Sequence, residues 1–189
     1  MGTMRYPFDA ASWQRARVEH HGNMFFVNSQ SANKADDPSH GSWLLPFATS
    51  HYAGTQCQDN HGDTIYLAPG NSEAITTAGG CTLSKAGLTV IGLGTGNDVP
   101  LFTFGTSTAA SMVISGASCR IENIRGLAAI DGLTNPFHVQ AAGCVLGTEA
   151  HPIEWRDASS TVEAARAILG TTAADRLEGW LRYLGFTAG

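Results

Sequence analysis

From Asp63 onward, short runs of Val, Ile, Leu, Phe and Thr are punctuated by Gly every few residues, which predicts strands joined by tight turns. The runs Asp63–Ala68, Thr82–Ser84, Leu88–Leu93, Leu101–Phe104 and Met112–Ser115 read as strands. So do Arg120–Ile124, Phe137–Gln140, Val145–Leu146 and Ile153–Arg156. Between Ala74 and Cys119 the only charged side chains are Lys85 and Asp98. A sheet with one face in water normally alternates apolar with polar and charged residues. Here Thr, Ser, Gly and Ala fill the outward places, as they do in stacked solenoid sheets. Near the end of the chain Leu177, Trp180, Leu181 and Leu184 have helical spacing. Gly179 interrupts that pattern, so the segment reads as one more strand-bearing turn.

An internal repeat supports the solenoid. A shift of 31 carries Leu88, Val90 and Leu93 onto Cys119, Ile121 and Ile124, and a shift of 30 carries Leu83 onto Val113. A further shift of about 25 brings Val113 near Val139, Cys119 to Cys144 and Ile121 to Leu146. Each copy runs strand, Gly-containing turn, strand. A repeat of this length built of strands alone is the mark of a parallel β-helix, in which no turn buries its apolar face without its neighbours. The expected fold class is all-β: a short right-handed parallel β-helix preceded by an extended or irregular N-terminal arm.

The boundaries follow composition. Residues 1–42 hold Arg5, Arg15, Arg17, Glu19, Asp36 and Asp37, are rich in Asn, Ser and His, and show only one apolar run, Met24-Phe25-Phe26-Val27. This zone is the expected arm. Residues 43–189 are the expected β-helix domain, led by a cap segment (43–62) that reads as a short helix or an irregular turn.

Charged residues make up 14% and apolar residues 43% of the 189 positions, a balance that excludes wholesale disorder. No apolar run approaches the ~18 residues of a membrane span, and Met1–Trp13 carries no apolar signal core. A net charge of −5 without a basic cluster argues against nucleic acid as a partner. Cys57, Cys81, Cys119 and Cys144 form no CxxC pair, so free buried thiols are expected and neither a structural zinc nor any cofactor is. Two lysines against nine arginines fit a surface partly covered by other subunits.

Three stretches carry a resemblance: Pro46-Phe47-Ala48-Thr49, then Gly62-Asp63-Thr64-Ile65-Tyr66-Leu67-Ala68-Pro69-Gly70, then the run from Thr82 to Gly94. Over roughly residues 43–186 the chain resembles right-handed parallel β-helix proteins of the pectate-lyase-like type, in the branch found in tailed bacteriophages. It departs from the lyases in having far fewer turns, and in its N-terminal 42 residues. The resemblance implies a virion protein, assembled in the host cytoplasm, with a trimer as the oligomer. It also implies that Cys57 is buried and that the polar residues after it turn into the first strand.

Candidate chemistry is sparse. Cys57, Asp59, His61 and Asp63 alternate with His51 nearby, which is a conceivable metal set, but the reading favours a solvated turn. Catalysis on this fold needs clustered carboxylates, for which Glu122, Asp131, Glu149, Glu154 and Asp157 are candidates beside Arg120, Arg125 and Arg156. Glu122 and Glu154 are expected on corresponding strands, where alternating Arg and Glu more often form a ladder of ion pairs. No catalytic residue and no metal ligand is assigned. The favoured function is a non-enzymatic structural protein of a tailed-phage virion, in a capsid-decoration position. Arg5, Tyr6, Phe8, Trp13, Arg15, Arg17, Phe25 and Phe26 would dock the arm on the major capsid protein or another virion protein. The alternative is a tail or vertex spike that binds or cleaves host polysaccharide through Arg120, Glu122, Arg125, Glu154, Trp155 and Arg156.

Overall fold

Parallel pairing builds the whole architecture. The structure, a computed structural model, describes residues 22–157 and the strands at 169–171, 178–179 and 181–186. Strand β1 (Met24–Val27) and helix α1 (Ser50–Gln56) precede a first turn of β2 (Thr64–Leu67), β3 (Ser72–Ile75) and β4 (Cys81–Leu83). The second turn is β5 (Thr89–Gly92), β6 (Leu101–Phe104) and β7 (Met112–Ile114), and the third is β8 (Arg120–Glu122), β9 (Arg125–Ala128) and β10 (Phe137–Val139). The stack continues through β11 (Val145–Leu146), β12 (Ile153–Asp157), β13 (Leu169–Thr171), β14 (Glu178–Gly179) and β15 (Leu181–Phe186).

These strands form three sheets: β1-β2-β5-β8-β11-β14, β3-β6-β9-β12-β15, and β4-β7-β10-β13. All their pairings are parallel. The chain is thus an all-β parallel solenoid, a short β-helix of about three turns. Among the described residues no helix is long and apolar enough to cross a membrane.

Register places like on like. Ile65, Val90, Ile121 and Leu146 stand in one inward column of the first sheet. Leu83, Ile114 and Val139 do the same in the third. All seven are buried. The shifts of 31 and 25 read from the sequence are the lengths of the second and third turns. They survive because the corner leading into the first sheet is five residues long at Ser84–Leu88, Ser115–Cys119 and Gln140–Cys144 alike. At each of these corners one residue takes a positive φ: Gly87 at 71°, Ser118 at 56° and Gly143 at 70°. The corners are also bonded to each other, Gly87 N–H donating to Ala117 O and Ser118 N–H to Ala142 O, both at 2.8 Å.

The structure corrects the strand count per turn, which is three rather than two. The expected strand Arg120–Ile124 ends at Glu122 because Asn123 turns the corner at φ 53°, its Nδ2 donating to Gly92 O (2.8 Å) and Gly94 O (3.0 Å). Strand β9 then starts at once, with no Gly or Pro to announce it. Consequently Glu122 lies on the first sheet and Glu154 on the second, where it pairs in register with Arg125. The two glutamates are not on corresponding strands. The segment at Leu181–Phe186 is a strand paired with β12.

The four thiols are free and buried. Burial pushes the Cys57 thiol up to about 12 and Cys119 to about 11, so both are inert core residues. Farther along the core Phe104, Phe137 and Trp155 pack with ring centroids 5.3–5.9 Å apart. Gly126 makes room for them: a Cβ there would lie 2.5 Å from Cε3 and Cζ3 of Trp155. Replacing it, Gly126→Ala, is expected to destabilise the fold by about 1–3 kcal/mol through overpacking. A urea titration reads this directly, and an unchanged midpoint would contradict the packing described.

Candidate functional site

The most elaborate polar construction lies where residues 22–62 close the first turn. Helix α1 starts at Thr49, whose extended backbone lets Oγ1 accept from Tyr52 N–H at 3.1 Å. Ala53 is fully buried, and Gly54 lets the helix approach Leu83 closely. The helix therefore lies over the mouth of the core, and three carboxylates fasten the segment around it. Asp36 accepts from Ala48 N–H (2.8 Å), Thr49 N–H (3.0 Å) and Thr49 Oγ1 (2.8 Å). Glu73 accepts from Ser50 N–H (2.9 Å), Ser50 Oγ (2.6 Å) and Asn71 Nδ2 (2.9 Å). Asp63 accepts from Asn23 N–H (2.6 Å), Gln58 N–H (2.7 Å) and His61 Nδ1 (2.6 Å).

Glu73 is the unusual member. Its register partner is Phe102, so it occupies an inward column in which the next turns place apolar atoms. Burial pushes its carboxyl above the ordinary range, and the nearby Asp36 adds repulsion, outweighing the hydrogen bonds from Ser50 and Asn71. Asp63 ends up on the opposite side. Burial would raise it, but the bonds from His61, Gln58 and Asn23 together hold it below the usual carboxylate range. The alternating Cys57, Asp59, His61 and Asp63 are thus fastenings of a turn: Cys57 Sγ donates to Ala53 O at 3.3 Å, and Asp59 accepts from Ala86 N–H at 2.9 Å.

The same segment closes sheet edges, which otherwise present unpaired backbone groups. Phe26 N–H donates to Gly41 O and Phe47 N–H to Phe26 O, both at 2.9 Å, so a loop covers β1. On β4, Thr82 N–H donates to His51 Nδ1 at 3.1 Å, which puts the neutral imidazole proton on Nε2. On β3, Ser29 Oγ both accepts from Ser72 N–H (2.9 Å) and donates to Ser72 O (2.7 Å). Beside that point Ser29, Thr49, His51, Ser72, Glu73 and Ala74 line a cavity of about 300 Å³.

Of the residues expected to dock the arm, Arg5, Tyr6, Phe8, Trp13, Arg15 and Arg17 lie outside the described residues. Phe25 and Phe26 lie in β1, which is hydrogen-bonded into the first sheet, so this part of the expected arm belongs to the solenoid. Phe25 packs on Phe47 and Phe26 stacks on Tyr66 with centroids 5.4 Å apart, so both rings are engaged within the chain.

The residues expected on one glycan-binding face are split. Arg120 pairs with Glu122 on the outer side of the first sheet. On the second sheet Arg125 pairs with Glu154 at 2.7 Å and donates also to Gly96 O at 2.7 Å. Trp155, expected as a stacking surface, is instead a core residue only 1% exposed, because period-2 alternation turns it inward between Glu154 and Arg156. Arg156 sits in β12 opposite Leu127. Asp36, Ser50 and Glu73 escape sequence reading. The one available signal was the two-residue spacing of Glu73 and Ile75, which puts both on one face of a strand.

No family model, curated protein or solved structure matches the chain.

The sign of the pH effect at Glu73 follows from its direction. A carboxyl raised in the folded state makes that state bind more protons, so its contribution is present below the ordinary value of 4.5 and is lost as pH rises above it. Asp63 runs oppositely, losing its contribution as pH falls below 3.8. Unfolding free energy measured from pH 4.5 to neutrality should decline less with pH in Glu73→Gln than in the wild type. Parallel curves would contradict the burial assigned to Glu73.

Proposed function

We propose that this chain is a non-enzymatic structural protein of a tailed-phage particle, held as a capsid decoration by the major capsid protein. The residues preceding β1 make the attachment, and the assembled form is a trimer built in the host cytoplasm. One observation carries the reading: the acids are used to fasten the fold. Asp36, Asp63 and Glu73 hold the cap, while Glu122 and Glu154 are paired with arginines along the strands. The outward positions of the first two turns are Thr, Ser, Ala, Tyr and aliphatic residues, as at Thr64, Tyr66, Ala74, Thr89 and Thr103. Such a body adds stiffness and contact area, and the sequence resemblance to phage β-helix proteins points the same way. It does not by itself assign a chemistry.

A second reading has its own observation. Tyr66, half-buried on the outer side of the first sheet, lies in register through Ile91 with Glu122 and its partner Arg120. An outward aromatic ring beside a charged pair suits a spike that binds host polysaccharide.

Quantitative mass spectrometry of purified particles separates the two. Decoration predicts copy numbers comparable to the major shell protein. A handful of copies would move the chain to a tail or vertex position and favour the spike, and absence from the particle would overturn both.

A further inference from the structure

The terminal strand of a parallel sheet directs every second residue's N–H and C=O away from its neighbour. In β3 the residues that face β6 are known from their bonds: Leu101 N–H donates to Asn71 O at 2.8 Å and Gly105 N–H to Ile75 O at 3.1 Å. Ser72 and Ala74 therefore direct their backbone groups out of the sheet. Ser29 occupies those of Ser72. Among the described residues nothing pairs with the N–H or C=O of Ala74. Ala74 is exposed, and it lines the cavity of about 300 Å³ together with Glu73, Thr49 and His51.

We propose that this open edge is a strand-addition site for a short extended segment of a partner polypeptide, carrying a lysine or arginine beside the residue that pairs with Ala74. The backbone pair of Ala74 supplies affinity to any extended chain, and the pocket beside it supplies selectivity. The cation follows from charge complementarity. Glu73 is the acid lining the cavity, and its two oxygens accept three hydrogen bonds, which leaves one acceptor position for an incoming donor. A cation there also offsets the cost of holding a carboxylate away from water. Ala48, Thr49 and His51, at the start of the helix, line the pocket on its other side. The site stands on the geometry of the cap and holds whether or not the chain is a virion protein.

The test uses the full chain and a fluorescein-labelled peptide, Thr-Val-Lys-Val-Thr, followed by fluorescence anisotropy. Saturable binding is expected. It should weaken at least tenfold when the peptide's central nitrogens are methylated, and the same loss is expected for Ala74→Pro. Proline is tolerated at Ala74 because that N–H lies outside the β3–β6 ladder, and circular dichroism checks that the fold is kept. Replacing the peptide's lysine by glutamine should weaken binding to the wild type, and Glu73→Gln should abolish that preference. No binding at millimolar peptide, or equal binding of the methylated peptide, overturns the proposal. So does dimerisation of the chain that Ala74→Pro abolishes without any peptide bound, which would give the edge to a second copy.

Discussion

A parallel strand satisfies its backbone only with a neighbour on each side, so each turn of a solenoid depends on the turns before and after it. In this chain the dependence is carried by the corner into the first sheet. Its five-residue length recurs at Ser84–Leu88, Ser115–Cys119 and Gln140–Cys144, and its backbone groups bond from one turn to the next. With that corner constant, the inward columns stay in register whatever the other corners do. Two residues suffice between β8 and β9, and eight lie between β5 and β6. The long loop is then tied back, because Arg125 reaches Gly96 O from one turn farther along.

The same dependence makes the first turn a problem, since it has no earlier turn to cover it. Residues 22–62 solve this with three kinds of closure. Strand β1 extends the first sheet, with Val27 added to the inward column above Leu67. Helix α1 puts Ala53 over the core mouth, and single polar atoms from Ser29 and His51 stand in for the missing strands at Ser72 and Thr82. Carboxylates hold these parts because each can accept several N–H and O–H groups at once, as Asp36, Asp63 and Glu73 do. The cost is an acid in the interior. Glu73 is raised by burial and by the neighbouring charge of Asp36, while Asp63, itself buried, is lowered by its bonds from His61, Gln58 and Asn23. In the cap these three acids are structural, and that is the physical content of the proposed non-enzymatic role.

Much of the solenoid was legible because its repeating corner uses residue types that declare themselves. Gly87 and Gly143 mark the turn, Cys119 and Cys144 fall at one position, and the alternation through Val90, Ile121 and Leu146 survives each shift. What was hidden depends on contacts between distant turns. Strand β3 presents Ser, Glu and Ala with a single buried aliphatic, Ile75, and takes its identity from pairing with β6. The inward placing of Glu73 and the burial of Trp155 follow from register, which composition does not carry. Residues 22–42 read as an arm because their closing bonds join residues about forty apart, Asn23 to Asp63 and Ser29 to Ser72, with no local pattern to announce them.

The central claim is that residues 22–62 form the closed end of the solenoid rather than an arm beside it. Hydrogen–deuterium exchange of the native chain, read peptide by peptide, tests this most directly. The account predicts that β1 and α1 exchange together with β2 through β5, as one cooperative unit that opens only on global unfolding. Exchange of the 22–62 peptides within seconds, while 63–93 stays protected, would contradict it.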